Sequence, residues 1–160
     1  MRFVKSVAGI AMFVVGAMVA SAQAPVRPPY GTAVSLETAK KLAAGAMGEA
    51  KKQSWKVAVA IVDNHGMLIY YEMMDDTQTA SADISIEKAR TAAQWRRPSK
   101  EFEQTVADGR TAILGLRSVT PIEGGLPILV DGKMIGAIGV SGVTSAQDAQ
   151  VARAGLDALK

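Results

Sequence analysis

The sequence contains no cysteine among its 160 residues. This absence excludes disulfide bonds, thiolate metal sites, cysteine nucleophiles and covalent cofactor attachment through a C-x-x-C-H motif. The stability of the fold must therefore come from burial of a hydrophobic core and from any contacts between subunits.

Histidine and aromatic residues are also scarce. His65 is the single histidine, so a zinc site built from several histidines of one chain is excluded, and Ser-His-Asp catalysis could use only this residue. Aromatic residues make up 5% of the chain. The densest basic cluster, Arg96-Arg97 with Lys100, is not interleaved with them and is better explained as a solvated face. We therefore expect no nucleic acid partner.

The N-terminus has the features of a secretory signal peptide. Arg2 and Lys5 precede an apolar run over residues 7–19 that ends in small residues. The run is shorter than the roughly 20 apolar residues that a membrane span requires. Two A-x-A cleavage sites compete, and we favour cleavage after Ala22 because the alternative would leave Pro25 at the new N-terminus.

We therefore predict a signal peptide over residues 1–22, a proline-rich extended leader over residues 23–34 and a single domain over residues 35–160. Cleavage lowers the basic count from 18 to 16 against 15 acidic residues, and the net charge falls from +3 to +1. The mature protein is expected to be periplasmic or secreted, with no stable membrane span.

The first half of the domain predicts a helix, a hairpin and two further helices. Ser35 opens an amphipathic helical pattern, and Asp63-Asn64-His65-Gly66 provides a turn between two extended apolar runs. A second helix is expected over residues 81–95 with Ser81 as a cap candidate, and a shorter one, capped by Ser99, ends near Ala107. Residues 112–123 show no clear period.

The segment GGLPILVDGKMIGAIGVSG, residues 124–142, predicts a second hairpin. Asp131-Gly132 suits a type I′ turn, which requires positive φ at both central positions. Gly136 and Gly139 leave gaps along its second strand, and either a flat ligand or a closely packed helix could occupy them. Thr144 with Gln147 then forms a capping box for a final helix. Because strands and helices do not alternate singly, we expect an antiparallel α+β sandwich.

Four motifs in this order resemble the GlcG/HbpS family, whose domain also forms the C-terminus of PduO-type proteins: VAVAIVDNHGML, ISIEKARTAAQWRRPS, GGLPILVDGKMIGAIGVSG and QDAQVARAGLDAL. The resemblance covers nearly everything from Leu36 onward. It implies a profilin-like fold, with a five-stranded antiparallel sheet flanked by helices, and assembly into homo-oligomers. Family members are described as haem-binding, so haem or another flat apolar molecule is the expected ligand.

His65 is the first candidate for the axial ligand of haem iron, because neutral imidazole is the usual proximal group. The alternative is an ordinary surface residue of a turn. If haem binds without His65, a tyrosine or methionine side chain could coordinate it: Tyr70, Tyr71, Met73, Met74 or Met134. The family implicates a threonine shortly before the glycine pair, for which Thr120 is the candidate and Val119 the competitor.

Further candidates lie on the second predicted helix and after the second hairpin. Lys88 and Arg90 could pair with the propionates of haem or with another carboxylate, with Thr91 beside them. Alternatively, Lys88 reaches a helix end or an aspartate such as Asp63, Arg90 is solvated and Thr91 packs on the sheet. Ser141, near the entry to the last helix, could help to present backbone N–H groups to an anion.

Asp83 and Glu87 are four residues apart on one helical face and could hold iron or another divalent ion. The alternative is a solvated acidic patch in which Glu87 pairs with Arg90.

Three functions follow. The first is an exported haem-binding or haem-handling protein that stores, transports or senses its ligand. The second is a periplasmic enzyme acting on a small metabolite, with Lys88, Asp63 or His65 as acid or base, although no catalytic motif is present. The third is an oligomeric ligand-sensing module without catalysis.

Overall fold

The structure, a computed structural model, describes residues 26–160. The predicted signal peptide and its cleavage sites lie outside these residues. The helices are α1 (Leu36–Lys52), α2 (Ser81–Trp95), α3 (Lys100–Ala107) and α4 (Ser145–Asp157), and the strands are β1 (Ala58–Asp63), β2 (Leu68–Met73), β3 (Gly125–Val130) and β4 (Lys133–Ser141).

The strands form one antiparallel sheet in the order β2-β1-β4-β3. In the described part of the chain the sheet has four strands, so the expectation of five strands is wrong. The nearest approach to a fifth strand is the leader, in which Tyr30 forms a single parallel bridge with Met134. Pro28 and Pro29 precede it and cannot donate to a ladder, which explains why the pairing does not extend toward the N-terminus.

Helices cover both faces of the sheet. On one face, α1 and α4 pack against each other and against Val59 and Ile61 of β1, and on the other face α2 packs against Val62 and Ala137. The strand β1 is therefore buried on both sides, which is the physical reason for its nearly continuous apolar sequence. The fold is α+β, as expected.

The second hairpin has the predicted turn. Asp131 and Gly132 have φ values of 50° and 72°, as a type I′ turn requires. This turn, together with an irregularity in the pairing between Ile128 and Leu129, sets the register in which Gly125 of β3 lies opposite Gly139 of β4. A glycine pair is thereby placed side by side on the sheet.

Two of the four predicted helix caps are confirmed. The Ser35 side chain accepts a hydrogen bond from the Thr38 N–H, and Thr144 with Gln147 forms the capping box of α4. Ser81 lies inside α2, after an N-cap residue that makes no side-chain hydrogen bond. Ser99 occupies the N-cap position of α3, but its hydroxyl contacts Ile122 O and the Gly125 N–H instead. The predicted caps Ser81 and Ser99 are therefore wrong.

The segment without a clear period contains a short 3₁₀ helix, Thr111–Gly115, followed by an irregular stretch up to β3. No helix within residues 26–160 is long and apolar enough to cross a membrane.

Candidate functional site

The space above the glycines of the second hairpin is filled by protein. A Cβ atom built on Gly139 would lie 2.5 Å from Ala89 N and would overlap Ser85 O, both on α2. A Cβ on Gly136 would overlap Val62 O of the neighbouring strand. Gly139 therefore permits the close approach of a helix, and Gly136 the close approach of β1. The predicted role of these glycines as a ligand surface is not supported by this packing.

Lys88 is buried in an ion pair. Its Nζ atom lies 2.8 Å from Asp148 Oδ2 and 3.1 Å from Val140 O, and the side chains of Lys88 and Asp148 are 2% and 3% exposed. Burial raises the pKa of the Asp148 carboxyl, although the hydrogen bond from Lys88 acts in the opposite direction. Of the two alternatives for Lys88, the structure has the pairing with an aspartate, although the partner is Asp148 and not Asp63. Lys88 therefore joins α2 to α4 and cannot reach a propionate.

Ser141 is buried as well. Its hydroxyl lies 3.2 Å from the hydroxyl of Ser81, and it connects the end of β4 to the start of α2. The backbone N–H groups before α4 already have acceptors, since Asp148 accepts from Val143 and the capping box satisfies Thr144. This packing gives Ser141 a structural role and leaves it out of contact with any external anion.

The turn that carries His65 is held by Asp63. One carboxylate oxygen of Asp63 accepts the N–H groups of His65, at 2.8 Å, and of Met67, at 2.9 Å. His65 is exposed, and its carbonyl accepts a hydrogen bond from Gln94 of α2 at 3.3 Å. Within residues 26–160 its imidazole has no hydrogen-bond partner. The ring is therefore available to a ligand.

A cleft of about 550 Å³ opens beside this turn, and we call it the histidine cleft. Four residues line it: Tyr30, Asn64, His65 and Gln94. The Tyr30 hydroxyl lies 3.5 Å from Gln94 O, and the guanidinium of Arg96 lies 5.0 Å from the centre of the Tyr30 ring. The leader, the first hairpin turn and the end of α2 thus meet at one place.

Asn64 ties the leader to the turn. Its Nδ2 atom donates to Gly31 O at 2.7 Å, while its Oδ1 atom is buried and has no partner among the described residues. Sequence reasoning missed Tyr30, Asn64 and Gln94. A signal existed for Gln94, because it lies four residues after Arg90 on one face of α2, whereas nothing local in the sequence places the leader beside the turn.

Arg90 and Glu87 also lie near the turn. They form an ion pair with a distance of 2.6 Å, and Arg90 Nε donates to Gly66 O at 3.2 Å. The pairing of Glu87 with Arg90 is the alternative that the sequence left open to a metal site formed by Asp83 and Glu87. The side chain of Asp83 is exposed. No cluster of three or more His, Asp or Glu residues able to hold a metal ion occurs in the part of the chain that the structure describes.

Thr91 and Thr120 contact each other at a different loop. Thr91 Oγ1 accepts the Thr120 N–H at 2.8 Å and donates to Ser118 O at 3.4 Å. The candidate residues thus separate into three groups. His65 and Arg90 lie around the turn, and Thr91 and Thr120 lie at the loop before β3. The third group is buried inside the protein and consists of Lys88, Gly136, Gly139 and Ser141.

Comparisons with known proteins agree with the motifs of the sequence. Residues 34–157 match the family model described as haem degrading protein HbpS-like. Protein GlcG of Escherichia coli K12 is 47% identical over 108 residues, which cover 68% of this chain and 81% of GlcG. Two solved structures share the fold. A double mutant of HbpS from Streptomyces reticuli is 32% identical with a TM-score of 0.75, covering 88% of this chain and 99% of that one.

The second is a PduOC:heme complex, 28% identical with a TM-score of 0.72, in which the match covers 79% of this chain and 95% of that one. The family model spans most of the domain, and the GlcG match exceeds two thirds of both chains. The chain therefore belongs to the HbpS-like family, as its four motifs predict.

Proposed function

We propose that this protein binds haem in the histidine cleft, with His65 as the axial ligand. The observation that carries the proposal is that the single imidazole of the chain is exposed at a cleft of about 550 Å³ and has no partner among the described residues. The choice of haem as the ligand is supported by the relatives, because the similar PduOC domain was crystallised with haem.

The residues around the cleft suit such a ligand. The volume falls within the range of roughly 300–1,000 Å³ that is usual for small-molecule sites. The ring of Tyr30 offers a flat apolar surface, and Arg90 provides a cation near the turn for a carboxylate. When bound, haem would supply an iron centre for ligand binding or electron transfer, with its potential and reactivity set by the axial ligand and its surroundings.

Titration of the purified protein with hemin tests this proposal. We expect a saturable shift of the Soret band for the native protein, and affinity weakened by about tenfold or more in His65→Ala, because the iron loses its imidazole. Lys40→Gln, at an exposed position of α1, is the matched control and should bind as the native protein does. A native spectrum identical to that of free hemin, or equal affinity in His65→Ala, would refute the assignment.

Export and assembly are further parts of the proposal. The basic residues and the apolar run of the N-terminus support secretion to the periplasm or beyond. Exposed hydrophobic residues on both outer strands, Leu68 of β2 and Val130 of β3, favour a homo-oligomer formed through the sheet edges. The role is then storage, transport or sensing.

The alternative function, an enzyme acting on a small metabolite, is weakened because two of its three candidate acid–base residues are engaged within the protein. Lys88 is enclosed in its ion pair, and Asp63 accepts the backbone hydrogen bonds of the turn. Among the described residues that line the histidine cleft, His65 and Tyr30 are the titratable ones. We therefore favour binding without catalysis.

A further inference from the structure

A second cleft, of about 420 Å³, lies where the leader meets the end of α2 and the strand β3. We call it the arginine cleft. Its rim carries four arginines, namely Arg27, Arg96, Arg97 and Arg153, and one acid, Glu101. Its other lining residues are apolar: Pro28, Pro98, Leu126, Pro127, Leu129 and Leu156.

The positive charge of this rim is only partly balanced. A single carboxylate oxygen of Glu101 serves two arginines, since it lies 3.0 Å from Arg27 Nη1 and 3.5 Å from Arg97 Nη1. Arg153 approaches Glu123 at 3.4 Å, but Glu123 also pairs with Lys100 at 2.9 Å. The cleft therefore has an excess of cations that an anion would neutralise.

Arg97 is the most constrained of these cations. Its guanidinium lies 3.7 Å from the centre of the Phe102 ring, and its side chain is 21% exposed. Its Nε atom is buried without a partner in residues 26–160. Burial lowers the pKa of Arg97, and the charge of Arg27 lowers it further. Glu101 acts in the opposite direction, and a second anion beside this guanidinium would further offset the repulsion from Arg27.

Arg96 is also fixed in place. It ends α2 in the left-handed conformation, with a φ of 53°, which is unfavourable for a residue other than glycine. Its Nη1 atom donates to Pro28 O at 3.3 Å, and its guanidinium stacks on Tyr30. The guanidinium groups at the rim are therefore oriented before any ligand arrives, which reduces the entropy cost of binding.

The apolar part of the cleft offers a surface for a hydrocarbon body. Leu129 is 51% exposed although it lies on a strand, and Leu156 of α4 and Pro127 adjoin it. A side chain of this kind gains free energy when an apolar ligand covers it. The cleft thus combines oriented cations with an uncovered apolar floor.

We propose that the arginine cleft is a second binding site, separate from the histidine cleft, for a small amphiphilic carboxylate. The carboxylate group binds among Arg27, Arg96 and Arg97, and its unbranched apolar chain lies on the leucines and prolines. The excess positive charge of the rim favours an anionic group on the ligand, and the exposed apolar floor favours a hydrocarbon chain.

Calorimetric titration with hexanoate, octanoate and decanoate tests this site. We expect saturable binding that strengthens about fourfold for each added CH₂ group, because each buried methylene contributes a similar free energy. Added salt should weaken it, and 1-octanol, which has the chain without the charge, should bind far more weakly than octanoate. Affinity that is independent of chain length, or equal for octanoate and 1-octanol, would overturn the proposal.

Variants separate the site from general surface binding. Arg97→Met keeps most of the stem and removes the charge, and we expect octanoate affinity to fall by about tenfold or more. Because Arg97 packs on Phe102, Arg153→Gln serves as a second variant at a position that is 61% exposed, with an expected loss of about twofold to fivefold. Lys40→Gln removes an equal charge elsewhere and should bind normally. Equal affinity in all three would refute the assignment.

A competition experiment checks that the two clefts are separate. Hemin titrated in the presence of saturating octanoate should give the same Soret transition as hemin alone. Displacement of one by the other would contradict a second site. If hemin fails to bind, the octanoate series and its variants still decide the proposal by themselves.

Discussion

At the scale of single residues, Lys88 shows how a charged side chain can be structural. Both members of its ion pair with Asp148 are almost fully buried, and Lys88 also donates to the carbonyl of Val140. Such a pair adds little net stability compared with apolar residues, but removing one partner leaves an isolated buried charge. The position of Lys88 in the sequence could not distinguish this role from ligand binding.

We predict that Lys88→Met destabilises the protein by about 3–5 kcal/mol at neutral pH, because Asp148 is left as an unpaired buried carboxylate. Urea unfolding followed by circular dichroism measures the loss. The double variant Lys88→Met with Asp148→Asn, which removes both charges, should recover part of it. A single variant as stable as the native protein would contradict the account.

The loss of stability in Lys88→Met should depend on pH. Burial raises the pKa of Asp148, and removal of the Lys88 ammonium raises it further. A carboxyl whose pKa is higher in the folded state stabilises the fold most at low pH, and this contribution is lost as the pH rises through the folded-state pKa. The deficit of Lys88→Met against the native protein should therefore shrink as the pH falls from about 7.5 toward about 4.5. When Asp148 is replaced by Asn in both proteins, the stability deficit caused by Lys88→Met should no longer depend on pH in this range.

At the scale of elements, the contact of α2 with the second hairpin organises one face of the fold. Gly125 and Gly139 lie side by side on the sheet, and the backbone of α2 rests on both, at Lys88 and at Ser85 with Ala89. The sequence predicted the hairpin and its turn because Asp131-Gly132 is a local signal. It left open whether a helix or a ligand covers the glycines, since that depends on residues of α2 that are distant along the chain.

We predict that Gly139→Ala destabilises the fold by about 1–3 kcal/mol or more, because the added methyl group overlaps α2. Gly48→Ala is the matched control. A methyl group added at Gly48, within α1, meets no other part of the described chain inside 4 Å, so alanine should stabilise the protein by about 0.5–1 kcal/mol. Denaturation midpoints that shift in the same direction for both variants would count against close packing at Gly139.

The helices were predicted well where local chemistry determines their ends. The range of α2 agrees with the expectation, and the caps Ser35 and Thr144 were correct. Ser99 was assigned wrongly because its hydroxyl finds partners in the loop before β3, at Ile122 and Gly125. Tertiary packing determines which of two possible sets of partners such a hydroxyl binds. The spacing of residues in the sequence does not reveal this packing.

At the scale of the whole molecule, both clefts depend on the leader. Tyr30 lines the histidine cleft and Arg27 lines the arginine cleft, while Gly31 is anchored to Met134 and to Asn64. The sequence predicted an extended leader but not its place beside α2. His65 was identified because it is the only histidine, whereas the walls around it come from segments that are far apart along the chain. Composition could therefore indicate a candidate ligand residue but not the cleft beside it.

The most direct measurement of the central claim is the broadening of backbone amide signals by paramagnetic ferric hemin in a ¹⁵N-labelled sample. Broadening falls steeply with distance from the iron and so maps its position. We predict that the first signals lost are those of Tyr30, Asn64, His65 and Gln94, which surround the histidine cleft. Broadening centred on the second hairpin around Gly139, or on the arginine cleft around Arg97, would contradict haem binding at His65.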